Sequence, residues 1–416
     1  MLRSFIPVAP ESHFPIQNLP YGIFSASTDE RPRVGVAIGE YVLDLAILEQ
    51  TGYLKTTNIF NQSSLNHFMS LGRATWKEIR ATLQHLLAAE TATLRDDFAL
   101  RQQALHPMAE VIMHLPADIG DYTDFYSSKE HATNVGTMLR SKENPLLPNW
   151  IHLPVAYHGR ASSVVISGTD IHRPNGQTIA EGEDRPTFGP SRNMDFELEM
   201  GFFIGPGNEL GTPIPIAQAE EHIFGFVLIN DWSARDIQKW EYQPLGPCLS
   251  KNFATSISPW VVTLEALEPF RCASPTQDPT PLPYLQSASP ASYDIQLDVL
   301  LQTAQMKTPA PIAHSNFRYL YWNMCQQLAH HTVNGCNMRP ADLLGSGTIS
   351  GPTSNSYGSL LELTWRGSQP ISLPSGEIRR FLEDGDQLTL TGWCQGEGYR
   401  VGFGEVTGKL LPTRNF

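Results

Sequence analysis

The stretch NMDFELEMGFFIG, residues 193 to 205, alternates acids with apolar side chains: Asp195, Glu197 and Glu199 against Phe196, Leu198 and Met200. A period of two belongs to a strand, whose side chains point to opposite faces in turn. The chain must therefore build a sheet with one apolar face and one face carrying three carboxylates. Like charges at neighbouring positions of one face repel. Either water solvates that face or a cation sits on it, and spacing alone leaves both readings open.

At 416 residues the chain is long enough for roughly two or three domains of about 150 residues each, and for a sizeable core. Hydrophobic residues make up 41% and charged residues 17%, a globular balance rather than a disordered one. Acidic residues outnumber basic ones by 42 to 29, a net charge of −13, which disfavours nucleic acid and anionic membrane as partners. An anionic small molecule stays compatible, through a local basic pocket. Cys248, Cys272, Cys325, Cys336 and Cys394 form no CxxC pair, so we expect reduced thiols and no zinc–thiolate site. No apolar run reaches the ~20 residues of a membrane span, and the start MLRSFIPVAPESHFP lacks a signal-peptide core. The expectation is a soluble, cytoplasmic protein.

VGVAIGEYVLDL, residues 34 to 45, reads as a hairpin turning at Gly39–Glu40. Residues 63 to 105 read as helices, with a Ser cap before Leu65, Phe68, Met69, Trp76, Ile79, Leu83, Leu86 and Leu87 at near-helical spacing. Together they suggest a small β-plus-helix domain ending near residues 114 to 122. Beyond it the pattern is mainly β, with strands expected at 196–204, 223–230, 259–264, 293–302, 359–366, 386–393 and 399–406. One helix is expected over 315–331, capped by Ser315.

GxSxG, HExxH and Walker A motifs are absent. What remains is a set of constellations. If Asp124, Glu197, Glu199 and Asp231 converge, they make an all-oxygen site for a hard divalent cation such as Ca²⁺ or Mg²⁺. His131 is a candidate base, which needs an orienting carboxylate, and Glu362 is a candidate for that role. Outward-facing strand acids and a structural histidine are the plainer readings. The stretch 233 to 256 gathers Arg235, Gln238, Tyr242, Lys251 and Thr255 in a Pro/Gly-rich segment suited to developing negative charge, or simply to solvent. GSGTISGP, 345 to 352, is a tight turn or a substrate-contacting loop.

Taken together, GDYTDFYSSKEHATNVG, GPSRNMDFELEMGFFIG, GFVLINDWSARDIQKWEYQPLGPCLSKNFATSISPWVV, QQLAHHTVNGCNMRPADLLGSGTISGP and FGEVTGKLLP resemble the fumarylacetoacetase (fumarylacetoacetate hydrolase) family. These matches run in the family's order from about residue 118 to the end. The resemblance implies a mixed, mainly β fold: a small SH3-like barrel domain over residues 1–116 and a larger mixed β-roll or sandwich domain over 117–416. It implies a homodimer that hydrolyses a carbon–carbon bond of 4-fumarylacetoacetate, a small diketo acid, to fumarate and acetoacetate, the last step of tyrosine and phenylalanine breakdown. Position by position, Asp124, Glu197, Glu199 and Asp231 match the ligands of Ca²⁺ or Mg²⁺. Asp231, Lys251 and Thr255 match positions assigned to magnesium, with the lysine carbonyl as the plausible ligand atom. His131 matches the catalytic base and Glu362 its partner. Arg235, Gln238 and Lys251 match supports of the leaving group. Tyr126, Arg140, Tyr157, Gln238, Tyr242 and Thr348 match substrate contacts. Asp195 has no assigned role and is expected to be a solvated or loop-anchoring acid. Another enzyme of the same superfamily and a non-catalytic calcium-binding scaffold are the competing readings.

Overall fold

The computed structural model describes residues 2–27, 29–287 and 291–414. Its N-terminal part is a five-stranded antiparallel half-barrel, in the order Leu105–Pro107, Tyr41–Asp44, Asp29–Ile38, Tyr21–Ala26, Val111–His114. The expected hairpin is there: Ile38 pairs with Tyr41 across a turn in which Gly39 takes φ +55°. Glycine meets that backbone demand without the Cβ penalty. The helix Arg73–Leu87 follows the predicted apolar stripe and buries Trp76, Ile79, Leu83, Leu86 and Leu87. The Ser cap is a correction. The preceding helix, Asn66–Ser70, starts at buried Leu65, and Arg73–Leu87 starts at Gly72, neither with a side-chain cap.

The larger part is a sandwich of two sheets. The central one runs Ala156–His158, Tyr122–Phe125, Leu343–Gly345, Leu198–Ile204, Ile223–Asp231, Thr255–Ile257, Val164–Ile166, with Val262–Thr263 also paired to Ile223–Asp231. The second runs Ala310–Asn316, Gln296–Gln302, Gln387–Gly396, Tyr399–Leu411, Ile171–His172. Phe202, Phe226 and Leu228 of the first share one core with Leu297, Val299, Leu390 and Phe403 of the second. The other face of the central sheet, with Tyr122, Phe203, Val227, Ile229 and Leu343, packs on the N-terminal helices through Phe68, Met69 and Trp76. Near the start of the chain, His13 lies against the strand Tyr399–Leu411, where Gly404 N donates to His13 Nδ1 at 3.2 Å.

Three further expectations are corrected. Residues 315–331 are not one helix: a strand ends at Asn316, and the helix is Met324–Thr332. Asn323 and Gln326 form a reciprocal capping box there, which satisfies the first free amides better than Ser315 could. The expected strand 359–366 is instead a helical turn, Leu360–Leu363, capped by the Ser359 side chain. The acidic strand also breaks: Met194–Asp195 pairs with Ser233–Ala234, and the longer strand begins at Leu198.

Candidate active site

The period of two places the site. Going along each strand from the face that meets the N-terminal helices, Tyr122 is followed two residues on by Asp124, Ile229 by Asp231 and Leu343 by Gly345. Glu199 precedes Phe203 on the same face by four. The surface that is apolar under the helices thus turns acidic where they end. Asp124 and Glu199 stand on strands either side of Leu343–Gly345, and Gly345 pairs with both Asp124 and Gly201. Glycine leaves the space between them open. A Cβ on Gly345 would lie 2.9 Å from Asp124 Oδ1, 3.1 Å from the Tyr122 hydroxyl and 3.3 Å from Glu199 Oε2.

Carboxylate oxygens of Asp124, Glu199 and Asp231 all lie within 4.8 Å of one another, and all three residues are buried. Asp124 Oδ1, both Glu199 oxygens and the Tyr122 hydroxyl have no hydrogen-bond partner among the described residues. Burial, and then the charge on Asp231, pushes the Asp124 carboxyl up to about 8. Burial and its acidic neighbours raise Glu199 well above its ordinary range, and burial raises Asp231 despite Lys251. Three buried acids that repel each other, with Asp124 Oδ1 and both Glu199 oxygens lacking donors among the described residues, fit a hard divalent cation, whose charge and oxygen preference supply what the protein leaves out. The residues present thus form an oxygen cage that suits such an ion.

Glu197 lies beside this triad. Arg235 Nη1 contacts its Oε1 at 2.7 Å, and the Lys251 ammonium bonds its Oε2. Burial opposes ionisation of Glu197, but Arg235, Lys251 and His131 outweigh it and hold its carboxyl below the usual range. Lys251 Nζ also donates to Asp231 Oδ2 at 2.8 Å, Thr255 Oγ1 to Asp231 Oδ1 at 2.8 Å, and the Tyr157 hydroxyl to Asp231 Oδ2 at 3.2 Å. Asp231 pairs with Thr255 across the sheet, so strand register alone delivers that threonine.

His131 sits in the first turn of the helix Lys129–Leu139, where its backbone N donates to the Ser128 cap at 3.1 Å. Its Nδ1 donates to Glu362 Oε2 at 2.7 Å. Ser350 Oγ at 2.9 Å and Ser359 Oγ at 2.8 Å donate to the same oxygen, and Asn134 Nδ2 donates to the other at 2.9 Å. Burial works against an ionised Glu362, yet the interaction with His131 and these donors lower its pKa. An ionised acceptor keeps the histidine proton on Nδ1 and leaves Nε2 free, facing Glu197 Oε1 at 3.9 Å. The Tyr126 ring stands edge-on to the imidazole at 5.3 Å.

The remaining expected residues range from buried Thr348 to exposed Arg140. Gln238 Oε1 accepts from Arg235 Nη1 at 3.1 Å. Thr348 is buried in the loop that carries Ser350. Arg140 is exposed and donates to Pro145 O, while half-buried Tyr242 ends the helix Arg235–Glu241. No hydrogen bond joins either to the carboxylates among the described residues. Ser350 and Gly345 belong to the GSGTISGP run, read as a tight turn or a substrate-contacting loop, whereas Asn134, Ser359 and Tyr122 were not expected at the site. Of these, only Ser359 had a signal, the SLLE run that spells a helix cap three residues before Glu362.

Asp195 is not solvated. It is 0% exposed, and Arg235 Nε donates to its Oδ2 at 2.8 Å.

Comparison with known proteins shows the family. The profile described as Fumarylacetoacetase N-terminal matches residues 17–116, and that of Fumarylacetoacetate (FAA) hydrolase C-terminal matches residues 121–410. The chain belongs to the fumarylacetoacetase family. It is 60% identical to a fumarylacetoacetase of Homo sapiens over 98% of this chain and 99% of the relative. It is 57% identical to one of Dictyostelium discoideum (99% and 98%) and 56% to one of Arabidopsis thaliana (99% and 99%). The fold also matches a solved fumarylacetoacetate hydrolase of Exiguobacterium antarcticum, with TM-score 0.52 at 14% identity, covering 95% of this chain and 100% of that one. Membership in the family accounts for the mainly β architecture, with its N-terminal half-barrel and larger C-terminal β domain. Among the described residues no helix is long and apolar enough to cross a membrane.

Proposed function

We propose that this chain hydrolyses the carbon–carbon bond of 4-fumarylacetoacetate to give fumarate and acetoacetate. Near-full-length identity of 55–60% to curated fumarylacetoacetases supports the substrate. The observation that carries the chemistry is a His131–Glu362 pair, 2.7 Å apart, opening beside an acidic cage. Asp124, Glu199 and Asp231, with Glu197 adjoining, would hold Ca²⁺ or Mg²⁺, with Lys251 and Thr255 ordering Asp231. A bound divalent cation would withdraw electron density from the neighbouring oxygens of the diketo acid, easing departure of the carbon leaving group.

Glu362 keeps the His131 proton on Nδ1, so Nε2 takes a proton from water while the water oxygen attacks the carbonyl carbon. General-base help of this kind is worth ~10²–10⁴-fold. Arg235 Nη2 is buried without a partner among the described residues. Together with Gln238 and Lys251, it is placed to receive the developing negative charge. The carbon–carbon bond then breaks with its electron pair on the acetoacetate side. That fragment takes back the proton from His131, with Lys251 assisting, and the water hydroxyl stays on fumarate. Tyr126, Arg140, Tyr157, Tyr242 and Thr348 contact the substrate.

On this reading the enzyme is a cytoplasmic homodimer with domains 1–116 and 117–416. Incubating the purified protein with fumarylacetoacetate and Mg²⁺ or Ca²⁺ tests the proposal: ultraviolet absorbance falls and fumarate accumulates. Unchanged absorbance with the cation bound would leave only a cation-binding scaffold.

A further inference from the structure

Asp195 makes four hydrogen bonds with two oxygens. Its Oδ1 accepts from Phe196 N at 2.8 Å and Leu360 N at 2.7 Å. Its Oδ2 accepts from Arg235 Nε at 2.8 Å and Leu361 N at 3.0 Å. Leu360 and Leu361 open the turn Leu360–Leu363, and the next residue is Glu362. One carboxylate therefore grips the guanidinium at one edge of the pocket and the backbone that aims the His131 partner at the other. Its backbone is itself pinned, because Asp195 pairs with Ser233, two residues before Arg235. Charge-assisted bonds of this kind are short and directional, and a fully buried carboxylate has no water to fall back on.

We propose that Asp195 is a positioning residue, which couples Arg235 to the His131–Glu362 pair through a single carboxylate. The catalytic part of this claim rests on the function proposed above. Asp195→Asn keeps the shape but puts an NH₂ where one oxygen accepted two bonds. Donor then meets donor, and either Arg235 or the Glu362 turn is released. Misplacement of about 1 Å in such a constellation can lower turnover by on the order of 10²-fold.

The test measures kcat, KM, melting temperature and the downfield proton signal of His131 Nδ1–H in wild type, Asp195→Asn and Asp195→Glu. Asp195→Glu keeps the charge and displaces it by one methylene, so it serves if the asparagine variant fails to fold. The expected result is a ~10²-fold loss of kcat with a smaller change in KM, and a shifted or lost imidazole proton signal. A folded variant with wild-type kcat and an unshifted signal, whatever its melting temperature, would overturn the proposal. The proton signal needs no substrate. Wild-type inactivity toward fumarylacetoacetate would therefore refute the proposed reaction while leaving the coupling to be decided by the spectrum.

Discussion

Lys251 Nζ bonds the carboxylates of both Glu197 and Asp231, and so joins the acidic cage to the histidine side of the pocket. Glu197 in turn faces His131 Nε2 at 3.9 Å. The acidic cage, His131 and the Glu197–Lys251 pair are therefore one connected unit, and changes in one part should be felt in the others.

Removing the base should stop the reaction and spare the cage. His131→Ala is expected to lower kcat by ~10²–10⁴-fold, with divalent-cation affinity unchanged. Glu362→Gln should lose a comparable amount, because an amide can donate to Nδ1 and favour the wrong tautomer. Steady-state kinetics alongside calorimetric cation binding check both halves.

Gly345→Ala should act on the cation. The added methyl would crowd Asp124 Oδ1 at 2.9 Å and Glu199 Oε2 at 3.3 Å, distances at which something must shift. Calorimetry with Mg²⁺ and with Ca²⁺ should show weakened binding in this variant. Chelation should lower the melting temperature of the wild type more than that of the variant, since only a ligand bound to the native state stabilises it. Equal affinities would show that the cation binds elsewhere.

The N-terminal segment should respond to pH. Burial, and then the Arg400 charge, lower His13 from 6.5 to about 4. Between those values the unfolded chain carries a proton that the folded chain lacks. Stability from this residue is therefore complete above pH 6.5 and is lost as pH falls toward 4, by about 3 kcal/mol at most. His13→Gln should flatten that part of the profile. Urea unfolding at pH 7 and pH 4.5, in both proteins, measures it.

Much of this architecture was readable from pattern. The alternation from Leu198 to Ile204 that carries Glu199, the hairpin at Gly39 and the stripe of Arg73–Leu87 are local periodicities, and local periodicity survives into the fold. What escaped was set by caps and by neighbours distant in sequence. Glu362 sits among apolar residues that read as a strand, yet Ser359 caps the turn and Asp195, 165 residues away, holds its first amide. Asp195 read as a solvated or loop-anchoring acid, and only the anchoring holds, through four donors that come from three separate segments. Gly345 drew notice only as part of a small-residue run. Its use depends on the register that sets it between Asp124 and Glu199.

The central claim is that His131 directs water onto the substrate carbonyl, and labelled water tests it most directly. Single-turnover hydrolysis of fumarylacetoacetate in ¹⁸O-enriched water should give fumarate with one labelled carboxylate oxygen, at a rate that collapses in His131→Ala. Unlabelled fumarate, or label appearing at the wild-type rate in that variant, would contradict the account.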